Sequence, residues 1–387
     1  MSKIFDLGET INSKKTRLFF GKGSNRRNIQ TYHDPKYKWI LDFAEELRAM
    51  GNWSKNEIDL SKEKRDFDGL DDAGRHIFEA GLKFAITLDS CAGRAPLELF
   101  NKGGISNNPE WELYLTNHQN NELLHSESYT EMVRAVYNDV DDFIDSIISD
   151  KYIQNRATSI LSAFDWSTEV CEKNEANLTA KNNGMPKPYP EVNEKMLKTA
   201  VYKSALTINM FEGIRFFATF VTNWSFSEQP VKLMQGCSNI FKLIARDEMI
   251  HLDVFQRVLM MMRNEKSEGF QEIVEELEEE TYQMFKTSYD EEIEWIDYLF
   301  SKGTPLIGMN DTILKQYMDY IFAIRMKNIG LDPQKIGIES SPYNPVPWVD
   351  NYLDSQHIKS APQEIESVNY VAAIDNSKDV DFAMDDL

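Results

Sequence analysis

Six of the 13 prolines of this 387-residue chain fall in two short stretches, 186–190 and 342–347, and the others are scattered singly with long uninterrupted segments between them. Proline removes a backbone donor and clashes with the preceding helical turn, so segments that exclude it over such lengths favour helix. Apolar residues in these segments recur at helical spacing. From about Ala73 to Arg94 the pattern runs through Ile77, Leu82, Ala85 and Leu88, with Asp89 set into it. Asn108-Pro109, an N-cap followed by proline at the first helical position, opens a second helix that continues toward Tyr137. A third is expected from about Val192 to Trp224 and a fourth from about Val231 to Met262, with two more over Glu279–Ser301 and Asp311–Ile329. The expected fold is all-α.

Composition narrows the function classes. The 42 Lys+Arg against 63 Asp+Glu leave a formal charge of -21, which repels nucleic acid and anionic membrane. Neither is expected as a partner. Cys91, Cys171 and Cys237 form no CxxC pair and fit a reducing compartment. The first residues, Met1 to Arg17, have no apolar core of a signal peptide, and no stretch approaches the roughly 18 apolar residues of a membrane span. A cytoplasmic location is expected, bacterial or that of a host if the source is a phage. The main domain is expected over 1–353, with an N-terminal arm over about 1–30. A polar loop is expected to be inserted over about 174–194, where Gly184, Pro186, Pro188 and Pro190 fall. The acidic run Glu272 to Glu280 reads as a solvated helix face. From Asp354 to the end the chain is too polar to pack, and reads as a flexible docking tail.

Two Glu-x-x-His pairs, Glu122 with His125 and Glu248 with His251, each place a carboxylate and an imidazole one turn apart on one helix face. Singly, such pairs occur by chance. Here each lies in a long helix, and two other long helices each carry an acid in apolar company, Asp89 and Glu212. A lone carboxylate costs several kcal/mol to bury unless it is paired or binds metal. Structural ion pairs are one solution. Another is two divalent cations, whose charge the four acids balance while each histidine offers one neutral nitrogen. Oxygen-rich ligation of this kind suits iron or manganese better than zinc. Acids from two helices and Glu-x-x-His pairs from two others make the carboxylate-bridged pattern of ferritin-like bundles. Tyr129, four residues after His125, lies on the same face, and Phe216, Phe220 and Ile244 are spaced to line that side with apolar surface. Such a pocket would exclude water from a phenol that had lost an electron.

Several motifs then give a specific resemblance. Leu88-Asp-Ser-Cys-Ala-Gly-Arg94, His125-Ser-Glu-Ser-Tyr-Thr130, Glu212-Gly-Ile-Arg-Phe216, Leu243-Ile-Ala-Arg-Asp-Glu248 and Asn344-Pro-Val-Pro-Trp348 resemble, in order and spacing, those of the small, radical-generating subunit of class I ribonucleotide reductase, particularly the bacterial and phage class Ia type. The likeness extends from about Phe19 to the C-terminus. It implies an all-α, ferritin-like dimetal-carboxylate bundle with additional helices and a flexible tail. It also implies metal ligation by Asp89, Glu122, His125, Glu212, Glu248 and His251, two iron ions per chain with manganese as the alternative, and a stable tyrosyl radical at Tyr129 made with O2. Phe216, Phe220 and Ile244 match the radical pocket. Trp53 in Gly51-Asn-Trp-Ser matches the tryptophan that starts electron transfer, and Asp247 the carboxylate linking it to His125. Tyr370 and Glu364 match tail residues that pass the radical to the large catalytic subunit. The implied assembly is a homodimer that docks on the large subunit through the tail.

Some positions depart from that pattern. Cys91-Ala92 stands where the family usually has Ile-Gln, and Glu127 where it has Arg. Glu127 precedes Tyr129 by two residues and is expected to point away from it. His118 stands where many relatives have tryptophan, four residues before Glu122, and is expected to alter the hydrogen bonds around the ligands. The residues by themselves also admit a dimetal oxygenase or ligand-binding oxidase, a ferroxidase or storage protein, and a helical scaffold held by ion pairs.

Overall fold

The computed structural model describes residues 5–10, 13–24, 27–50, 53–102 and 104–353. Helices dominate it, as the proline placement predicts. In chain order they are α1 (Lys38–Met50), α2 (Glu63–Asp68), α3 (Asp72–Cys91), α4 (Ala95–Phe100), α5 (Pro109–Val136), α6 (Val140–Ser149), α7 (Lys151–Asn182) and α8 (Glu194–Met210). The second half continues with α9 (Phe217–Ser227), α10 (Gln235–Asn264), α11 (Gln271–Glu276), α12 (Glu278–Leu299), α13 (Asp311–Asn328) and α14 (Asp350–Leu353). Within the expected N-terminal arm, β1 (Phe5–Thr10) pairs in parallel with β2 (Arg27–Ile29), Phe5 opposite Arg27. The Arg27 guanidinium fastens this small sheet to the body by donating to the Asn101 carbonyl at 2.6 Å.

The centre of the molecule is a bundle of α3, α5, the α8–α9 pair and α10. Helix α3 packs on α5 and α9, while α10 packs on α5, α8 and α9. Trp111, Trp224 and Tyr129 are fully buried in it. Each large apolar side chain so buried contributes about 1.5–3 kcal/mol of transfer free energy. Helix α5 begins as its sequence predicts: the Asn108 side chain accepts from the backbone N–H groups of Glu110 and Trp111, and Pro109 fills the first position. Helix α10 is capped from a distance. Glu63 of α2 accepts from Gly236 N at 2.9 Å and from Cys237 N at 3.3 Å, satisfying two donors that the helix itself cannot. A carboxylate there also complements the positive end of the helix dipole.

Two sequence expectations change. The polar segment from Asn174 is not loop from its start, because α7 continues to Asn182. Asn177 is buried and holds the returning chain by donating to Pro190 O at 2.9 Å and accepting from Tyr189 N at 3.1 Å, so its polarity reflects internal bonding rather than exposure. Gly184, at φ +68°, is the helix stop: Met185 N donates to Ala180 O and Gly184 N to Lys181 O, which closes a Schellman motif. The second change concerns the expected single helix from Val192 to Trp224. It is interrupted by a π-helical turn over Phe211–Arg215, between α8 and α9.

At the C-terminal end, Tyr352 of α14 stacks on Trp224 of α9 at 4.7 Å and donates its hydroxyl hydrogen to Glu228. Tyr370 and Glu364 lie outside the described residues. Among the described residues no helix is long and apolar enough to cross a membrane.

Candidate metal centre

The bundle brings all six sequence-predicted ligands into its middle. Asp89 sits near the end of α3, Glu122 and His125 face inward from α5, and Glu248 and His251 do so from α10. Glu212 comes from the π-helical turn. A π turn carries one residue more than an α turn and is frequent at functional sites. Here it is clamped from two sides, with Arg325 of α13 donating to Gly213 O at 3.2 Å and Leu252 of α10 lying where a Cβ on Gly213 would reach within 2.7 Å.

All six side chains are at most 1% exposed. His125 Nδ1 lies 3.2 Å from Glu248 Oε1 and 3.9 Å from Asp89 Oδ2, and His251 Nδ1 lies 3.1 Å from Glu122 Oε1 and 2.9 Å from Glu248 Oε2. Among the described residues, both oxygens of Asp89, Glu122 and Glu212 and one of Glu248 have no hydrogen-bond partner. Buried carboxylate oxygens left so cost several kcal/mol each, and two divalent cations would satisfy them together. The donor set fits such a pair. Two groups of ligand atoms, each gathered within 4.8 Å, share Glu122: Asp89, Glu122, His125 and Glu248 form one, and His118, Glu122, Glu212 and His251 the other.

The electrostatics describe the same crowding of acids. Burial, then the charges of Glu122 and Glu248, raise Asp89 well above the usual carboxylate range, and burial with Glu248 and Glu122 does the same to Glu212. Burial also acts to raise Glu248, but the facing His125 and the bonds from His125 and His251 outweigh it and hold that carboxyl well below its ordinary value. His125 moves the opposite way to its own burial, pulled well up by Glu248 and Asp247. Metal binding replaces the protons that neutralise such a cluster.

Around the ligands, Asp247 joins four groups. It accepts from Trp53 Nε1 at 2.9 Å, Asn121 Nδ2 at 3.2 Å and Arg246 Nη2 at 2.9 Å, and its Oδ2 lies 3.3 Å from His125 Nε2. The Trp53 ring is stacked on that of His125, centroids 6.5 Å apart. The sequence-predicted link between Trp53, Asp247 and His125 is therefore a continuous hydrogen-bonded contact. Asn121 and Arg246 were not legible as members, since each is an ordinary helix residue until Asp247 is seen between them.

Tyr129 is fully buried, and its hydroxyl has no hydrogen-bond partner of normal geometry among the described residues. Burial and the neighbouring Asp89 charge push the phenol well above its ordinary value, so it stays protonated. Phe216, Phe220 and Ile244 are fully buried. The aromatic ring against Tyr129 is Phe241, at 5.9 Å, and Phe220 lies 5.9 Å from that same ring. Phe241 precedes Ile244 by three and was readable from helical spacing. Glu127 points outward, as expected, and pairs with Lys55 at 2.6 Å.

Gly93 has a role that sequence reasoning left aside. A Cβ there would stand 2.2 Å from Glu122 Oε2 and 2.9 Å from its Cδ, so the carboxylate rests directly on the glycine backbone. Gly93→Ala should leave the helix content unchanged, because only the end of one side chain must move. It should weaken metal binding by about 10–100-fold, comparable to other changes that displace a ligand's support. Equilibrium titration with Fe(II) under nitrogen checks this, and unchanged affinity would refute the steric role.

Comparisons with known proteins place the chain in a family. The family described as "Ribonucleotide reductase, small chain" matches residues 30–334. The subunit beta of ribonucleoside-diphosphate reductase from Buchnera aphidicola subsp. Schizaphis graminum is 36% identical, covering 93% of this chain and 92% of the relative. Subunit beta of ribonucleoside-diphosphate reductase 1 from Escherichia coli O157:H7 is 34% identical, over 95% of this chain and 94% of its own length. Among solved structures, the ribonucleotide reductase R2 subunit from Clostridium botulinum superposes with a TM-score of 0.69 at 25% identity, covering 90% of this chain and 97% of its own. With a family match over most of its length and relatives above 30% identity along nearly all of it, the chain belongs to the ribonucleotide reductase small-chain family.

Proposed function

We propose that this chain is the radical-generating subunit of a ribonucleoside-diphosphate reductase, an oxidoreductase that supplies deoxyribonucleotides for DNA synthesis. The observation that carries the reading is the set of unpartnered carboxylate and imidazole atoms buried between four helices, one turn from an unpartnered buried tyrosine hydroxyl. Asp89, Glu122, His125, Glu212, Glu248 and His251 would hold two metal ions, iron in this reading and manganese as the alternative. Bound there, the pair would supply the oxidising equivalent through reaction with O2.

The protein's own groups do the rest. With that oxidising equivalent supplied, Tyr129 would be the one-electron donor, and its phenolic proton would pass to the Asp89 carboxylate, the acid whose charge acts most strongly on that hydroxyl. Phe241 packs on the Tyr129 ring, and the buried Phe216, Phe220 and Ile244 would complete an apolar pocket that keeps water and reductants from the phenoxyl. Asp247 fixes His125 on one side and Trp53 on the other, so an electron can travel between the cluster and Trp53 without crossing solvent. Tyr370, with Glu364 beside it in sequence, would extend that route to a cysteine of the large subunit, where the ribonucleotide is reduced. In this reading residues 1–353 form the helical domain, residues 354–387 form the docking segment, and the working assembly is a homodimer with the large subunit.

Electron paramagnetic resonance after anaerobic Fe(II) loading and exposure to O2 tests the radical, and a reductase assay with the large subunit tests its use. Truncation after Leu353 separates the two: the tyrosyl signal is expected to persist while ribonucleotide reduction disappears. Full reduction by the truncated protein would refute the role given to the tail.

A further inference from the structure

His118 is a seventh side chain in the cluster. It lies on α5 four residues before Glu122, which puts it on the same face one turn away, and it is fully buried. Its Nε2 is 3.4 Å from Glu122 Oε1 and 3.5 Å from Glu212 Oε1, and it makes no hydrogen bond among the described residues. The other ring nitrogen, Nδ1, is 3.2 Å from the Tyr114 hydroxyl. The ring stacks on His251 with centroids 3.8 Å apart and planes 6° from parallel.

The distances between these atoms match those of ligands around one ion, and rotation of one ring out of the parallel stack would let both nitrogen lone pairs point at it. Donors at about 2.1 Å from a metal stand about 3.0 Å apart at a right angle and about 3.4 Å apart at the tetrahedral angle. The separations from Glu122 Oε1 to His251 Nδ1 and His118 Nε2, 3.1 and 3.4 Å, fall in that interval, and the one from His118 Nε2 to Glu212 Oε1, at 3.5 Å, lies just beyond it. A direct hydrogen bond from an imidazole to a carboxylate is normally shorter, at about 2.7–2.9 Å when charged. The Tyr114 contact supplies what a ligating histidine needs at its second nitrogen, a polar partner that sets the tautomer and ring orientation. His125 has the same arrangement, with Asp247 in that place.

We propose that His118 is a third imidazole ligand, so that His118, Glu122, Glu212 and His251 form a two-nitrogen position beside the one-nitrogen position of Asp89, Glu122, His125 and Glu248. This rests on the dimetal reading above and makes the two positions chemically unequal. Added imidazole favours the later divalent ions over Mn(II), so the Glu212 side should be the more selective of the two.

The test uses the full chain and His118→Phe, which keeps a planar ring and removes the nitrogens. Each is titrated anaerobically with Co(II), and the crystal structure of the unmutated chain loaded with Mn(II) is determined. The expected result is two ions per chain in the unmutated protein, with His118 Nε2 about 2.0–2.3 Å from one of them. In His118→Phe one binding step should weaken by about 10–100-fold while the other holds, which also reports that the variant has folded. Two ions bound with Nε2 more than about 3 Å from both would overturn the third ligand alone, leaving His118 a hydrogen-bonding neighbour. Failure of the unmutated chain to bind Co(II) or Mn(II) would sink the dimetal reading and this proposal together. If His118→Phe does not fold, the Nε2–metal distance in the unmutated chain decides the matter.

Discussion

Tyr129→Phe is expected to eliminate the tyrosyl signal and ribonucleotide reduction completely, while metal uptake and oxidation by O2 continue. The substitution deletes one oxygen that has no hydrogen-bond partner of normal geometry among the described residues, so the ring keeps its packing against Phe241. Removing a buried hydroxyl without a partner relieves a desolvation cost, and stability should hold or rise by about 1 kcal/mol. What disappears is the oxidisable group. Phenylalanine has no O–H proton to pass to Asp89, and loss of an electron alone from a benzene ring in this apolar pocket would create an unscreened cation. Electron paramagnetic resonance and a turnover assay on the variant check both halves. A tyrosyl signal of full intensity in Tyr129→Phe would move the radical to another residue and sink the assignment.

Asp247→Ala should produce the largest loss of stability among single changes near the site, about 3–5 kcal/mol in the metal-free protein. The carboxylate is fully buried and answers Arg246, which is 6% exposed, as well as Trp53, Asn121 and His125. Deleting it leaves the buried Arg246 guanidinium bonded to the Met50 carbonyl among the described residues and removes the carboxylate that fixes His125. Trp53→Phe offers the contrast. It removes one hydrogen bond to Asp247, worth about 1.5–3 kcal/mol because the acceptor is charged, yet should stop turnover with the large subunit just as fully. Urea unfolding of the metal-free variants measures the first effect and a reductase assay the second. An Asp247→Ala cost under about 1 kcal/mol would mean the four partners find other bonds.

The Trp53 comparison also shows how unevenly the centre could be read in advance. Spacing along a single helix is a local property, and it placed Glu122 with His125 and Glu248 with His251 on common faces before any packing was known. The N-cap at Asn108 and Pro109 and the apolar company of Asp89 were equally local. The link from Trp53 to Asp247 spans 194 positions and came from family likeness, not from periodicity. His118 shows the opposite failure. Its spacing of four from Glu122 was plain in the sequence, but one histidine per acid pair already balanced two ions, so charge bookkeeping had no use for it.

The sequence by itself determined that this chain is helical, where its main helices begin, and which six side chains are spaced to converge as ligands. Those features depend on proline placement, capping and a period of 3.6 residues, all of which act within a few turns of chain. Tertiary structure decided the rest. The break of the expected Val192–Trp224 helix at Phe211–Arg215 is a π turn held between Arg325 of α13 and Leu252 of α10, contacts that helical periodicity does not register. The loop after α7 starts at Asn183 rather than Asn174 because Asn177 finds backbone partners thirteen and twelve residues away, which turns polar residues inward. Gly93 under Glu122, and His118 stacked on His251, are contacts between segments that only meet once the bundle has closed. The spacing of the candidate ligands is written along single helices, whereas their environment is a property of the space between them.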